Sequence, residues 1–262
     1  MEDKKKEKII IGIILIMQTI IFAIIGANKS YIHMDEAYSL GLASYDKVEI
    51  QDNEDFYNTW HNGAYYEDYL CVNDDEVGQY KQVYENQKND VHPPLYYLIL
   101  RFAMGFHKNS YSKWPGIIVN MVIYVFVTIF MYLILKKILV DQYKYREKSA
   151  IIAMASSIVL ASITNVIYIR MYALSTLNIL ITTYLHLKLL DKNEIDYKLL
   201  VLIGISALVG SLTHYYYLFY LGMIFIMFAI KYIKEKRYKE LIAYVVTMCI
   251  AGAISLIIFP YS

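Results

Sequence analysis

Residues 199–230 read LLVLIGISALVGSLTHYYYLFYLGMIFIMFAI, 32 positions without one Asp, Glu, Lys or Arg. A helix crosses the hydrocarbon core of a bilayer in about 20 apolar residues at about 1.5 Å each. The stretch is too long for one crossing and suits two short ones joined by a tight turn at His214. Residues 149–187 repeat the pattern over 39 positions, with a single charge, Arg170, near the middle. Working outward, further apolar runs occupy residues 9–28, 116–135 and 241–260. The expectation is an all-α integral membrane protein of about seven transmembrane helices, at 9–28, 116–135, 149–169, 171–187, 199–213, 215–230 and 241–260. A large first outer loop, 28–115, completes a single membrane module over 1–262.

Composition agrees. Hydrophobic residues make up 58% of the 262 positions and charged ones 19%, against about 45–50% and about 25% in soluble domains. Disorder is excluded. With Cys71 and Cys249 the only cysteines, so is a disulfide scaffold. A net charge of +1 argues against a nucleic-acid partner. The 28 tyrosines suit a membrane–water boundary, where the ring is buried and the hydroxyl is wet. The first apolar run follows Lys4, Lys5, Lys6 and Lys8. It is longer than the roughly 7–15 residues of a signal-peptide core and ends in Ile25-Gly26-Ala27, so an uncleaved anchor is expected.

Charge sets the orientation. With the N-terminus cytoplasmic, segments 1–8, 136–148, 188–198 and 231–239 lie inside and hold 17 of the 25 Lys and Arg. The outer loop carries 14 carboxylates against 7 Lys and Arg. Were Leu95–Phe106 a further span, three basic loops would move outside. Its 12 positions, interrupted by Arg101, are also too short to cross. Pro94–Phe106 is therefore expected to be a helix lying along the outer surface.

This topology brings four polar features to one rim: Asp35-Glu36, His92-Pro93-Pro94, Arg170-Met171-Tyr172 and Thr213-His214-Tyr215. Each has a plain alternative. The acids could cap a helix or be solvated, Arg170 could snorkel to headgroups, and His214 could be a satisfied turn residue. His92 could merely precede a rigid Pro-Pro, and the tyrosines could form a belt. Together, a carboxylate pair, two imidazoles and a guanidinium at one membrane face can hold a phosphate and move a proton. That chemistry suits a substrate with a lipid tail and a polar head.

In chain order, MDEAYSLGLA (34–43), DVHPPLYYLILR (90–101), YIRMYALSTLNIL (168–180) and SLTHYYYLFYL (211–221) resemble the N-terminal membrane module of the GT-C glycosyltransferases. The protein-mannosyltransferase-like and lipid A aminoarabinose-transferase-like proteins are the nearest groups. The resemblance implies inverting transfer of a sugar from a polyprenyl-phosphate donor to a glycan, lipid or protein acceptor at the extracytoplasmic face of the cell membrane. It places Asp35 and Glu36 at the acceptor as catalytic carboxylates, with Asp35 as the base. His92, Arg101, Arg170, Tyr172 and His214 then form the lipid-phosphate set, Arg170 closest to the carrier phosphate. His92 and His214 are the positions at which a divalent metal would be held. Relatives of this kind continue beyond seven helices, so a C-terminal part is expected after Ser262.

Two rival readings have different signatures. A non-catalytic module for assembly or lipid binding would have no need of both acids and Arg170. A transporter would place ionisable groups at mid-membrane and interrupt its helices there with Gly or Pro, whereas Pro occurs only at 93, 94, 115 and 260. The topology is directly testable. Cysteines introduced at Asn89 and Asn109 should react with an impermeant thiol reagent from outside, and one at Asn193 should not. Opposite labelling of 89 and 109 would make Leu95–Phe106 a true span.

Overall fold

The computed structural model describes residues 2–44, 59–60, 62–90, 92–139, 148, 151, 154 and 157–261. Eleven α-helices of eight residues or more run through them. α1 is Glu2–Asn28, α2 Met34–Ser44, α3 Gly63–Leu70, α4 Lys81–Lys88, α5 Leu95–Met104 and α6 Trp114–Ile138. α7 is Leu160–Ile167, α8 Tyr172–Leu190, α9 Tyr197–Ser211, α10 Tyr216–Lys234 and α11 Tyr238–Ile258. Five of these, α1, α6, α8, α10 and α11, are long and apolar enough to cross a membrane.

Two expected spans differ from what was read in the sequence. Residues 199–213 correspond to α9, whose 15 residues are fewer than an ordinary span has, although it returns the chain from the far end of α8 to His214, beside Tyr172 at the start of α8. The segment 149–169 is not one helix. Ser157–Val159 is non-helical and Val159 is extended, so only the eight residues of α7 follow it. Residues 149, 150, 152, 153, 155 and 156 lie outside the described set. The chain does turn at both expected places, at Arg170 between α7 and α8 and at His214 between α9 and α10. A helix also follows Pro94, as α5, and its 10 residues are too few to cross.

Two buried clusters share α8. The larger runs from Phe22 of α1 through Leu40, Tyr96, Tyr97, Leu100 and Ile117 to Ile169 and Leu174. The second joins Leu185 and Leu189 of α8 to Ile203, Phe228 and Tyr244 on α9, α10 and α11. Lipid tails are as apolar as these side chains, so helix association there rests on close packing and on hydrogen bonds between helices. Between α1 and α6, the Gln18 amide donates to Thr128 Oγ1 at 2.9 Å, and the one Thr128 hydroxyl proton has Gln18 Oε1 at 3.0 Å and Ser157 Oγ at 3.2 Å as alternative acceptors. Toward the other end of this pair of helices, the buried Glu7 accepts from Tyr132 and, at 2.6 Å, from Lys136. Outward-facing Ile13, Ile16, Ile20 and Ile24 of α1 and Phe219, Met223 and Met227 of α10 are exposed, and these faces meet lipid.

Three contacts place the turns that matter below. The Asn120 amide on α6 donates to the carbonyls of Val166, at 3.2 Å, and Tyr168, at 2.9 Å, while its oxygen accepts from Tyr96 at 3.2 Å. That residue closes the C-terminus of α7, whose last carbonyls have no partner within the helix. Gly116 lets α6 approach this turn, since a Cβ there would lie 2.4 Å from the Ile169 side chain. The backbone N–H of Leu95 donates to the carbonyl of Leu212 at 3.1 Å, tying the start of α5 to the α9–α10 turn.

Candidate active site

The acidic pair lies on the first turn of α2, and the helix gives its members different tasks. Glu36 is buried, at 1% exposure. One of its oxygens accepts from the N–H of His33 at 2.9 Å, the return half of a capping box. The other accepts from the N–H of Ile169 at 2.9 Å and from the buried ammonium of Lys29. Lys29 also donates to the carbonyl of Ile167 at 2.7 Å. Glu36 thus fastens the end of α1, the start of α2 and the α7–α8 turn to one another. Both of its oxygens are occupied, which leaves Glu36 a structural member of the site.

Asp35, one residue earlier and about 100° around the helix, faces outward with its side chain 46% exposed. Its Oδ2 accepts from the Tyr168 hydroxyl at 2.7 Å. The His33 Nδ1 lies 3.6 Å from that oxygen and accepts from the Asp35 backbone N–H at 3.1 Å.

Arg170, at the tip of the same turn, is 8% exposed. It donates to the Asp35 carbonyl at 3.2 Å and to Ser39 Oγ at 3.3 Å, and its guanidinium carbon lies 6.0 Å from the centre of the Tyr172 ring. No carboxylate lies within 4.0 Å of it among the described residues. Of the buried side-chain atoms without a hydrogen-bond partner among the described residues, two lie here: Arg170 Nε and the hydroxyl of Tyr97. Burial pushes the Tyr97 hydroxyl well above its ordinary value, so it stays protonated and can donate.

The two histidines do meet. Their ring centres are 5.8 Å apart. His92 Nδ1 sits 2.9 Å from Asp90 Oδ2. His214 Nδ1 accepts from the Tyr216 N–H at 3.1 Å, which leaves its proton on Nε2. Burial first, then the neighbouring His92 and Arg170, pushes His214 below its ordinary value, so it is neutral at pH 7. Tyr172 joins this group to the acid. Its ring lies 5.7 Å from His214 and runs parallel to Tyr168 at 6.3 Å, and Tyr168 in turn packs edge-on against His33 at 5.6 Å. Of the residues singled out from sequence, Asp35, His92, Arg170, Tyr172 and His214 line one continuous surface.

Arg101 does not join them. It is 2% exposed, and its guanidinium donates to the carbonyls of Ala43, at 3.2 Å, Ser44, and Glu76, at 2.7 Å. It closes the C-terminus of α2 and ties it to the turn of 3-10 helix at Asp74–Glu76. Sequence reading passed over Lys29, His33, Asp90, Tyr97 and Tyr168. Asp90, Tyr97 and Tyr168 lie inside the quoted motifs and His33 adjoins one, and that placement is their only signal. Among the described residues no group of three or more His, Cys, Asp and Glu is placed to hold a metal ion. Compared with known protein families, curated proteins and solved structures, the chain matches none.

The two acids should separate in a stability measurement. Glu36→Gln leaves Lys29 buried without its counter-charge, a loss on the order of 3–5 kcal/mol. It should lower the melting temperature of the protein in detergent by many degrees. Asp35→Asn should leave melting close to that of the unaltered protein. Equal melting of all three would remove the fastening role from Glu36.

Proposed function

We propose that the chain is an inverting glycosyltransferase, moving a sugar from a polyprenyl-phosphate donor to an acceptor hydroxyl at the extracytoplasmic face of the membrane. One observation carries this reading: Arg170 is a buried cation with no carboxylate beside it. Its guanidinium is held by the Asp35 carbonyl and Ser39 beside the Tyr172 ring, and a phosphate placed against the open Nε–H would add a charge-assisted hydrogen bond. The Tyr97 hydroxyl is a further donor without a partner, and the Nε2 proton of neutral His214 is another. Guanidinium recognition of phosphate by parallel N–H donors is strong and directional. An apolar cleft of about 670 Å3 between α5 and α6, lined by Phe102, Phe106, Trp114, Ile118 and Val122, offers a surface for the lipid tail.

The chemistry divides along the line of aromatic rings. Asp35 accepts the proton of the acceptor hydroxyl as its oxygen attacks the anomeric carbon. The carrier phosphate departs with the bonding pair from the opposite face of the sugar, which inverts that centre. Arg170, with Tyr97 and His214, neutralises the charge that develops on the phosphate. Tyr172 stands between the two ends with Arg170 beside its ring. Glu36 and Arg101 hold the scaffold and contact neither substrate.

The reading predicts a division of effects in an assay with labelled polyprenyl-phosphate sugar and a membrane extract as acceptor source. Asp35→Asn should lower turnover by roughly the 10²–10⁴-fold typical of a general base and leave donor binding intact. Arg170→Lys should weaken donor binding, because a point charge replaces the planar fork. Unchanged donor binding in Arg170→Ala, or normal turnover in Asp35→Asn, would contradict these assignments.

A further inference from the structure

We infer that Tyr168 and His33 form a proton exit for Asp35, an inference that rests on the transfer chemistry proposed above. In the empty site Asp35 is open to water. With donor and acceptor bound, its free oxygen faces the acceptor and water is excluded from that side. The proton it has taken then needs a route that does not pass through the substrates.

The side chains on the far side of Asp35 supply one. Tyr168 Oη lies 2.7 Å from Asp35 Oδ2 and 3.1 Å from His33 Nδ1, so a single hydroxyl bridges the carboxylate and the imidazole. His33 Nδ1 accepts from the Asp35 backbone N–H at 3.1 Å. Neutral His33 therefore carries its proton on Nε2 and presents its lone pair to Tyr168. The His33 side chain is 55% exposed, so it reaches bulk water while touching the relay. Burial, then the hydrogen bond to Asp35, raises the Tyr168 hydroxyl well above its ordinary value. It passes a proton along without remaining ionised.

The steps balance. The acceptor O–H bond breaks and its proton goes to the free oxygen of Asp35. A turn of the carboxyl about Cβ–Cγ brings that O–H to Tyr168 Oη. As Tyr168 takes this proton, it gives its own to His33 Nδ1, which releases the Asp35 amide. The imidazolium loses its Nε2 proton to water, which is the net release, and leaves the Nδ1–H tautomer; exchange with water then takes the Nδ1 proton and returns one to Nε2, restoring the first form. Tyr168 is unchanged over the cycle. Neither residue touches a substrate; both act through Asp35.

The test uses the full chain in native membrane vesicles, supplied with labelled polyprenyl-phosphate sugar and acceptor extract. Tyr168→Phe keeps the ring stacked on Tyr172 and removes only the bridging hydroxyl. Its kcat should fall about 10- to 100-fold, the lower end of what proton transfer contributes, with the donor KM unchanged. His33→Ala should fall similarly, and added imidazole should restore much of its rate. Imidazole should do nothing for Tyr168→Phe, where the bridge itself is missing. His33→Asn, which still accepts from the Asp35 amide but carries no proton, should match His33→Ala and serves if the alanine variant fails to fold. Wild-type kcat in Tyr168→Phe, or a His33→Ala defect that imidazole leaves untouched, would overturn the exit. Normal turnover in Asp35→Asn would instead overturn the base, and with it the reading on which the exit rests.

Discussion

The buried carboxylate of Glu36 holds the site together. It binds the Lys29 ammonium at the end of α1, the N–H of His33 at the start of α2 and the N–H of Ile169 in the α7–α8 turn. These groups come from segments more than 130 residues apart in the chain. They add to the bonds that Tyr168 and Arg170 make to α2 in fixing the height of the α7–α8 turn. With them, Tyr168 and Arg170 arrive on either side of Asp35, one at its carboxylate and the other at its backbone carbonyl. A buried ion pair contributes little net stability against an apolar replacement, yet breaking it is costly. Here it acts through register, since it decides which residues of the turn face the acid.

A second set of ties gives the turn a firm floor. Asn120 satisfies the exposed carbonyls at the end of α7 and accepts from Tyr96 of α5, while Gly116 leaves room for Ile169. Leu95 and Leu212 join α5 to the α9–α10 turn, which brings His92 to His214. Charged and aromatic groups thus hang from backbone contacts between helix ends. The apolar faces of α1, α10 and α11 are left to lipid. An arrangement of this kind fixes donors and a carboxylate in advance, as the proposed stabilisation of a departing phosphate requires.

Much of this was legible in the sequence. Apolar run lengths gave the helical membrane class, and the isolated polar residues Arg170 and His214 marked turns that the structure contains. The sequence reading put Asp35 ahead of Glu36 as the base, but the buried partners of Glu36, Lys29 and the Ile169 N–H, were not legible. The two are adjacent and chemically alike, and only the helical offset sends one to solvent and the other inward. Arg101 was misread for a related reason. Its backbone partners near residue 44 lie 57 and 58 positions away, and no local pattern records them. Tyr168 was hidden among 28 tyrosines, a residue type that a membrane boundary favours anyway. The break at Ser157–Val159 was missed because hydropathy counts apolar positions and is blind to a local loss of helical hydrogen bonds.

The account turns on an anion at Arg170, and a structure of the protein with polyprenyl phosphate bound in lipid nanodiscs tests that most directly. It should show the phosphate within hydrogen-bond distance of Arg170 Nε and of the Tyr97 hydroxyl, on the side of Tyr172 away from the Asp35 carboxylate. A phosphate bound elsewhere, with Arg170 Nε still unpartnered, would contradict the assignment of this rim as a site for lipid-linked phosphate.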